Sequence, residues 1–358
     1  MSEVSERPTP EERADLVGHN AAEAAFLSAF NGGRLHHAWL VTGPEGVGKA
    51  TFAFRAARAV LDERAAGDAS RDTLAVAPDE PGFRQIANLG HPDLLVLRRP
   101  YDEKKGRYLA DLPVDEVRKL GGFFSKTAGR GGWRVAIVDT ADDMNRNAAN
   151  ALLKVLEEPP SKGLIFVLSS APGRLLATIR SRCRRLDLHT VDERSVTAFL
   201  EREGVASGAD AERIAGLSGG RPGYALRLAG EDGAALLSAV ETFFTAGLND
   251  EPAALLTVAE NAAGKPFEAN WAPFIAIVAD ETARIARGGA TGMWSPGALP
   301  VEAAQALAAA APVARWAEAW EKLRDIAGRG DALNLDRKQI VLNMGFAVSQ
   351  VCGGRTRS

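Results

Sequence analysis

Cysteine is nearly missing: Cys183 and Cys352 are the two in 358 residues. Their separation excludes a disulfide framework and any four-cysteine zinc site, and it suits a reducing compartment, so a cytoplasmic location is expected. Positive charge is not in excess, since 43 Lys and Arg stand against 46 Asp and Glu for a formal net charge of -3. Nothing therefore drives the chain to wrap nucleic acid unaided, and contact with DNA should be local or shared with partners. No run of about 18 apolar residues occurs, which excludes a membrane-spanning helix. The opening MSEVSERPTPEER is polar and acidic, without the apolar core of a secretion signal, and residues 1 to 20 read as a flexible lead. Internal repeats and long low-complexity tracts are absent too. The remainder, 46% hydrophobic and 25% charged, is the make-up of a soluble globular chain with room for two or three domains.

The most informative stretch is GPEGVGKAT, Gly43 to Thr51. Gly43, Gly48 and Lys49 fit the phosphate-loop spacing G-x-x-x-x-G-K, with Gly46 between them. Such a loop lets successive backbone N–H groups face one concavity, adds the positive end of the following helix, and neutralises phosphate with its lysine. A hydroxyl directly after the lysine then holds Mg²⁺, and here that position is Ala50. Thr51 carries a hydroxyl one residue late, displaced by about 100° around a helix and so aimed away from the metal. The loop has the parts to hold a nucleotide, ATP or ADP, but is poorly built to hydrolyse one. The alternative, a plain glycine-rich turn, fits the context less well. His37 to Thr42 reads as a buried strand entering the loop, and Phe52, Ala56, Ala59 and Val60 recur at helical spacing after it.

Further strands are expected at His91 to Leu97, Trp133 to Val138 and Leu164 to Leu168, with helices over Ala21 to Asn31, from an opening at Leu112 to Asp115, with Pro113 near its start, through Phe124, and over Asn145 to Glu158. Pro159-Pro160 stops the last of these helices, and a turn is expected at Arg130 to Gly132. Asp62 to Pro81, rich in charge, Ala, Gly and Pro, reads as an exposed insertion. Alternating strands and helices imply a parallel sheet with crossovers on both faces, and in such a sheet a ligand sits beyond the carboxyl ends of the strands. Lys49, Asp139 and Ser169 or Ser170 all stand at those ends. From Val191 the pattern turns helical, with breaks expected near Gly247, Gly264, Gly288 to Pro300 and Gly328.

Asp139 closes the apolar strand Val135 to Val138, as the metal-holding aspartate of a nucleotide site does. Motor ATPases follow that aspartate with a glutamate that activates water; here the position is Thr140, whose hydroxyl is too weakly basic. Asp142 and Asp143 would need a different reach. Ala50 and Thr140 thus depart from a hydrolytic site in the same direction. A basic cluster, Arg180, Arg182, Arg184 and Arg185, reads either as a solvated turn or as an arginine finger offered to a neighbouring subunit's nucleotide. Cys183 within it reads as a small buried residue. Arg221, in the turn Ser218 to Gly223, is placed to meet phosphates from a lid, or to face water. His36 and His37 lack metal-ligand spacing and read as structural.

Taken together, GPEGVGKAT, His91-Pro92-Asp93, NALLKVLEEPP from Asn150 to Pro160 and Ser181-Arg182-Cys183 resemble the clamp-loader subunits of bacterial DNA polymerase III, members of the AAA+ class. The likeness covers about the first 190 residues and continues more weakly through Leu217 to Gly223 and Asn334 to Lys338. Within that family the altered loop and missing glutamate look like delta-prime rather than the motor subunits gamma and tau. The resemblance implies an α/β fold: a P-loop AAA+ parallel sheet with helices on both faces over residues 1–187, a small helical lid over 188–231 and an all-helical collar over 232–358. It implies a hetero-pentamer with gamma or tau and delta subunits, a sliding clamp and primed DNA as partners, and Arg182 acting in trans. Ser169 or Ser170 matches the first sensor position and Arg221 the second. The four-cysteine zinc module of many members is missing, because Arg64 to Leu89 holds no cysteine. The competing expectations are an active gamma-type motor ATPase and a scaffold that uses neither nucleotide nor finger.

Overall fold

A computed structural model describes residues 8–62, 71–102, 107–109, 111–126, 132–333 and 335–353. Most of the expected Arg130 to Gly132 turn, the insertion's residues 63–70 and Asn334 lie outside this set. The chain divides into two compact units: Met1–Ser195 with Arg221–Gly223, and Val196–Gly220 with Tyr224–Ser358.

The first unit is built on five parallel strands: β1 (Ala38–Thr42), β2 (Leu94–Leu97), β5 (Arg134–Val138), β6 (Gly163–Ser169) and β7 (Arg184–Asp187). They lie in the order β2-β5-β6-β1-β7. A small antiparallel hairpin, β3 (Tyr101–Asp102) and β4 (Arg107–Tyr108), stands apart from them. Because side chains alternate across a strand, each central strand feeds two cores. Trp39 and Val41 of β1, Val135 and Ile137 of β5, and Leu164, Phe166 and Leu168 of β6 face one side. There they meet α1 (Asn20–Asn31) and α2 (Lys49–Leu61). Ala38 and Leu40, Ala136 and Val138, and Ile165 and Val167 face the other side. Their partners are α4 (Val114–Phe124), α5 (Arg146–Glu157) and α6 (Ala177–Arg180). Phe26 of α1 centres the first core, 5.1 Å from Trp39, 6.0 Å from Phe52 and 5.6 Å from Phe166 between ring centroids. These tilted and edge-on aromatic contacts add to the burial of large apolar rings. α5 begins at a conventional cap, Asn145 accepting from the backbone N–H of Ala148.

The α/β architecture, a parallel sheet with helices on both faces, is as expected, with four departures in detail. The basic cluster is no simple turn, because Arg184 and Arg185 belong to β7, which pairs with β1 through Trp39–Arg184 and Leu40–Arg185. Alternation hides this strand: only Leu186 of its four residues is buried. The expected insertion is partly core, since Leu74 is fully buried. It is followed by an unexpected short helix, α3 (Pro81–Ala87). The expected flexible lead is docked from Thr9 onward, as described below.

The second unit is helical. α7 (Glu193–Arg202), α8 (Gly208–Ser218) and α9 (Pro222–Leu228) precede α10 (Glu231–Asn249), α11 (Pro252–Ala263), α12 (Trp271–Thr291), α13 (Val301–Ala310), α14 (Val313–Leu333) and α15 (Arg337–Cys352). The break expected near Gly247 falls at Asp250, just after α10, so that the helix includes the glycine, and α14 runs on through Gly328 to Leu333. A helix tolerates an isolated glycine at a cost of about 1 kcal/mol, and Gly247 allows close approach, since a Cβ there would stand 2.7 Å from Val348. A buried ion pair fastens the segment after α12: Arg284 Nε donates to Glu281 Oε1 at 2.8 Å, and its other nitrogens donate to the Ser295 and Leu299 carbonyls at 2.7 and 2.9 Å. Glu281 in turn accepts from the N–H of Ala298 at 3.0 Å. Removing one member of such a pair leaves a buried charge uncompensated. Arg284→Met is therefore expected to lower stability by about 3–5 kcal/mol in urea unfolding, with Glu281→Gln/Arg284→Met recovering part of the loss.

Candidate functional site

The parallel register carries the ends of β1, β5 and β6 to one edge of the sheet. Thr42 lies level with Ser169 on one side and Asp187 on the other, and Leu97 of β2 pairs with Val138 of β5. The chain then turns away from β1 through Gly43, Gly46 and Gly48, whose φ angles of 148°, 79° and 116° favour glycine. At Gly43 there is a second reason, because a Cβ would run into the Leu188 carbonyl. Lys49, the first residue of α2, turns back over the loop. Its Nζ donates to the carbonyls of Gly43 at 2.8 Å and Pro44 at 2.9 Å and to Ser170 Oγ at 2.8 Å. Those three contacts use the three protons of the ammonium. Burial draws its pKa below the usual 10.5, opposed by the charges of Asp142 and Asp139.

A cavity of 520 Å³ opens beyond the ends of β2 and β5, walled by Glu11, Glu45, Arg98, Asp139, Asp142 and Ser170 among others. Asp139 sits where sequence placed it, at the end of β5. Its partner was unforeseen: Arg98, just past β2, brings Nε to 3.3 Å from Asp139 Oδ2. Both remaining Arg98 nitrogens bind Glu11, at 2.9 and 3.0 Å. Glu11 belongs to the supposed lead yet is 6% exposed. Arginines of α2 fix that segment. Arg58 donates to the carbonyls of Glu11 at 2.7 Å and Arg13 at 2.5 Å, and Arg55 binds the Ala14 carbonyl and Glu23. Further along, His19 Nε2 lies 3.0 Å from the Val47 carbonyl of the loop.

The remaining acidic groups have local duties. Asp142 accepts from Ser169 Oγ at 2.5 Å and from the N–H groups of Ser170 and Ala171 at 2.5 and 3.2 Å, tying the end of β6. Thr140, in the position of the missing glutamate, donates its hydroxyl to Asp143 at 2.6 Å, and Asp143 pairs with Arg99 at 3.0 Å. Ala50 packs on the aromatic core and offers no oxygen; Thr51 is buried and does not line the cavity. The residues present do not fit a bound magnesium ion: the hydroxyl ligand is absent and the aspartate is occupied by a guanidinium. The turn carrying Arg221 clusters with the first unit, and two residues later the Gly223 N–H donates to the Gly46 carbonyl at 2.8 Å.

Arg182 stands away from this cavity, in the turn between α6 and β7. Its Nη2 lies 2.9 Å from Glu157 Oε1 and its Nη1 donates to the Thr178 carbonyl at 3.1 Å. Its neighbours are used internally: Arg180 binds three carbonyls between Pro172 and Leu175, Arg184 lies 4.8 Å from the Trp39 ring centroid, and Arg185 pairs with Asp187 at 2.7 Å. Cys183 packs on the second core, where burial pushes its thiol to about 12.

Residues 18–192 match the family described as DNA polymerase III, delta subunit. Curated relatives include the DNA polymerase III subunit delta' of Pseudomonas aeruginosa, 39% identical over 58% of this chain and 61% of the relative. The subunit delta' of Escherichia coli is 35% identical over 57% of each chain. Identity to the subunit gamma/tau of Mycobacterium tuberculosis is lower, 29% over 55% of this chain and 32% of the relative. The match thus spans about three fifths of the length of the delta' relatives. Among solved structures, the Thermotoga maritima RuvB Holliday junction branch migration motor aligns with 18% identity and a TM-score of 0.39 over 65% of this chain and 68% of that one.

Arg98 and Glu11 were missed by sequence reasoning. A signal existed for Arg98, since Arg98-Arg99 directly follow an apolar strand at the edge where ligands bind. None existed for Glu11, which reaches the site only because α2 grips its backbone. Burial pushes the Glu11 carboxyl up, but hydrogen bonds from Arg98 and its charge outweigh this and hold it below the usual 4.5. A carboxyl lowered in the folded state contributes stability above its unfolded pKa and loses it as pH falls through the folded value. Stability of the parent should therefore decline on acidification below about pH 4.5, and Glu11→Gln should show a shallower decline there in pH-dependent thermal melts.

Proposed function

We propose that this chain is a non-hydrolysing, delta-prime-type subunit of the DNA polymerase III clamp loader. In this reading it joins gamma or tau and delta subunits in a hetero-pentamer, helps open the sliding clamp for loading onto primed DNA, and lends Arg182 to the nucleotide of the adjacent motor subunit. Two things support the family-level part: the match over residues 18–192 and the higher identity to delta' than to gamma/tau.

The observation that carries the division of labour is the contrast between two sites. Around the phosphate loop, the Lys49 ammonium is already hydrogen-bonded and Asp139 already paired with a guanidinium, all within this same chain. Neither a hydroxyl at position 50 nor a carboxylate at position 140 is available, so metal binding and water activation both lack their side chains. ATP or ADP would meet only loop N–H groups and a lysine that must first leave three internal acceptors. Arg182, by contrast, is held by one solvent-facing carboxylate and one carbonyl. Exposed ion pairs are worth about 0–1 kcal/mol, little against the 10³- to 10⁵-fold that an arginine finger contributes to phosphoryl transfer.

The gamma-type alternative calls for Mg²⁺-dependent ATP turnover by the purified chain that requires Lys49. The proposal expects none. In the reconstituted complex, Arg182→Ala should leave assembly intact and lower turnover at the adjacent site by roughly 10³- to 10⁵-fold, read as loss of that site's share of the DNA-stimulated ATPase. Undiminished ATPase in an assembled complex would refute the role of the arginine.

A further inference from the structure

The place beside Asp139 where a P-loop site of this fold would keep a divalent cation is taken by a side chain. We propose that Arg98 is the resident counterion of Asp139, held there by Glu11, so that the site excludes metal by occupancy as well as by the lack of ligands. This deepens the non-hydrolysing reading of the loop site but does not depend on Arg182.

Three observations converge on it. First, the guanidinium has one fixed position. Both oxygens of Glu11 receive its terminal nitrogens at 2.9 and 3.0 Å, its Nε faces Asp139 at 3.3 Å, and its carbon lies 5.5 Å from the Phe54 ring centroid. Planar two-point binding of this kind suits arginine and orients it in a way that a lone ammonium does not. Second, the carboxylate that orients it is itself anchored, because Arg58 holds the Glu11 carbonyl at 2.7 Å and the side chain is buried. Third, the surroundings leave a metal nothing to replace. Ala50 offers no oxygen, Asp142 is engaged by Ser169, Ser170 and Ala171, and Asp143 by Thr140 and Arg99. A divalent ion approaching Asp139 would meet a permanent positive charge at contact distance, and that charge cannot dissociate as a metal does.

The segment at Glu11 thereby has a job that its polar composition did not announce. It supplies the second anion that keeps a guanidinium stable between two carboxylates. Without Arg98, Glu11 and Asp139 would be left as two partly buried carboxylates around one gap, which is the chemistry that attracts a hard divalent cation.

Thermal melts of the full chain in EDTA or MnCl₂, each with and without ADP, test this. The melting temperature of the parent should not respond to Mn²⁺. Arg98→Met should melt lower in EDTA and recover about 3–6 °C at tenfold excess of Mn²⁺ over its Kd. Adding Asp139→Asn to that variant should abolish the recovery, whereas Arg98→Lys should stay indifferent to metal. A folded Arg98→Met that responds no more than the parent would overturn the proposal. Should that variant not fold, Mn²⁺ titration of the parent by electron paramagnetic resonance still decides. Stoichiometric uptake that Asp139→Asn removes means metal displaces the arginine and overturns the proposal; no uptake supports it. ATP turnover measured on the same parent samples separates the two readings. Metal uptake without turnover removes only the counterion role, and metal uptake with turnover removes the non-hydrolysing reading as well.

Discussion

Parallel hydrogen bonding on both sides of β1 is the constraint from which the site follows. A strand paired in parallel with two neighbours must end at the same edge as they do, so Thr42, Ser169 and Asp187 come level although they are far apart in sequence. β5 and β2 extend the edge and bring Asp139 and Arg98 to it. Because the strands alternate their side chains between two cores, neither face of the sheet is left to bind anything. Chemistry is confined to the edge, where the backbone turns away and polar groups become available.

At that edge the charges answer one another within the chain. Lys49 spends its protons on two loop carbonyls and a serine, Asp142 closes the end of β6, and Asp139 shares Arg98 with Glu11. Buried charge is stable only when paired and hydrogen-bonded. Arg182 follows the opposite logic. Its pair with Glu157 is solvent-facing, where water already screens the charges, so little holds it from another anion.

Physical specificity in the second unit comes from a different source. Glu281 and Arg284 fix the segment leading to α13 by hydrogen bonds to its backbone, beside a core of buried aromatic rings that includes Phe243, Phe244 and Phe274. Among the described residues no helix is long and apolar enough to cross a membrane. Helices α10 and α14 pass through glycines that looked like breaks, because tertiary packing outweighs a local penalty of about 1 kcal/mol.

Local chemistry was enough to read the phosphate loop, four of the five sheet strands, the span and the stop of α5, and the absence of a metal hydroxyl at Ala50 and a base at Thr140. Each of these depends on spacing along a few residues, which the amino-acid order states directly. The tertiary structure alone decided that β7 is a strand, that Leu74 is core, and that Glu11 and Arg98 meet at Asp139. The pairing of β7 with β1 joins residues 145 positions apart, and Glu11 and Arg98 meet Asp139 from 128 and 41 positions away; such contacts have no periodicity to betray them, and they exist only after the sheet has set its edge and α2 has gripped the leading segment.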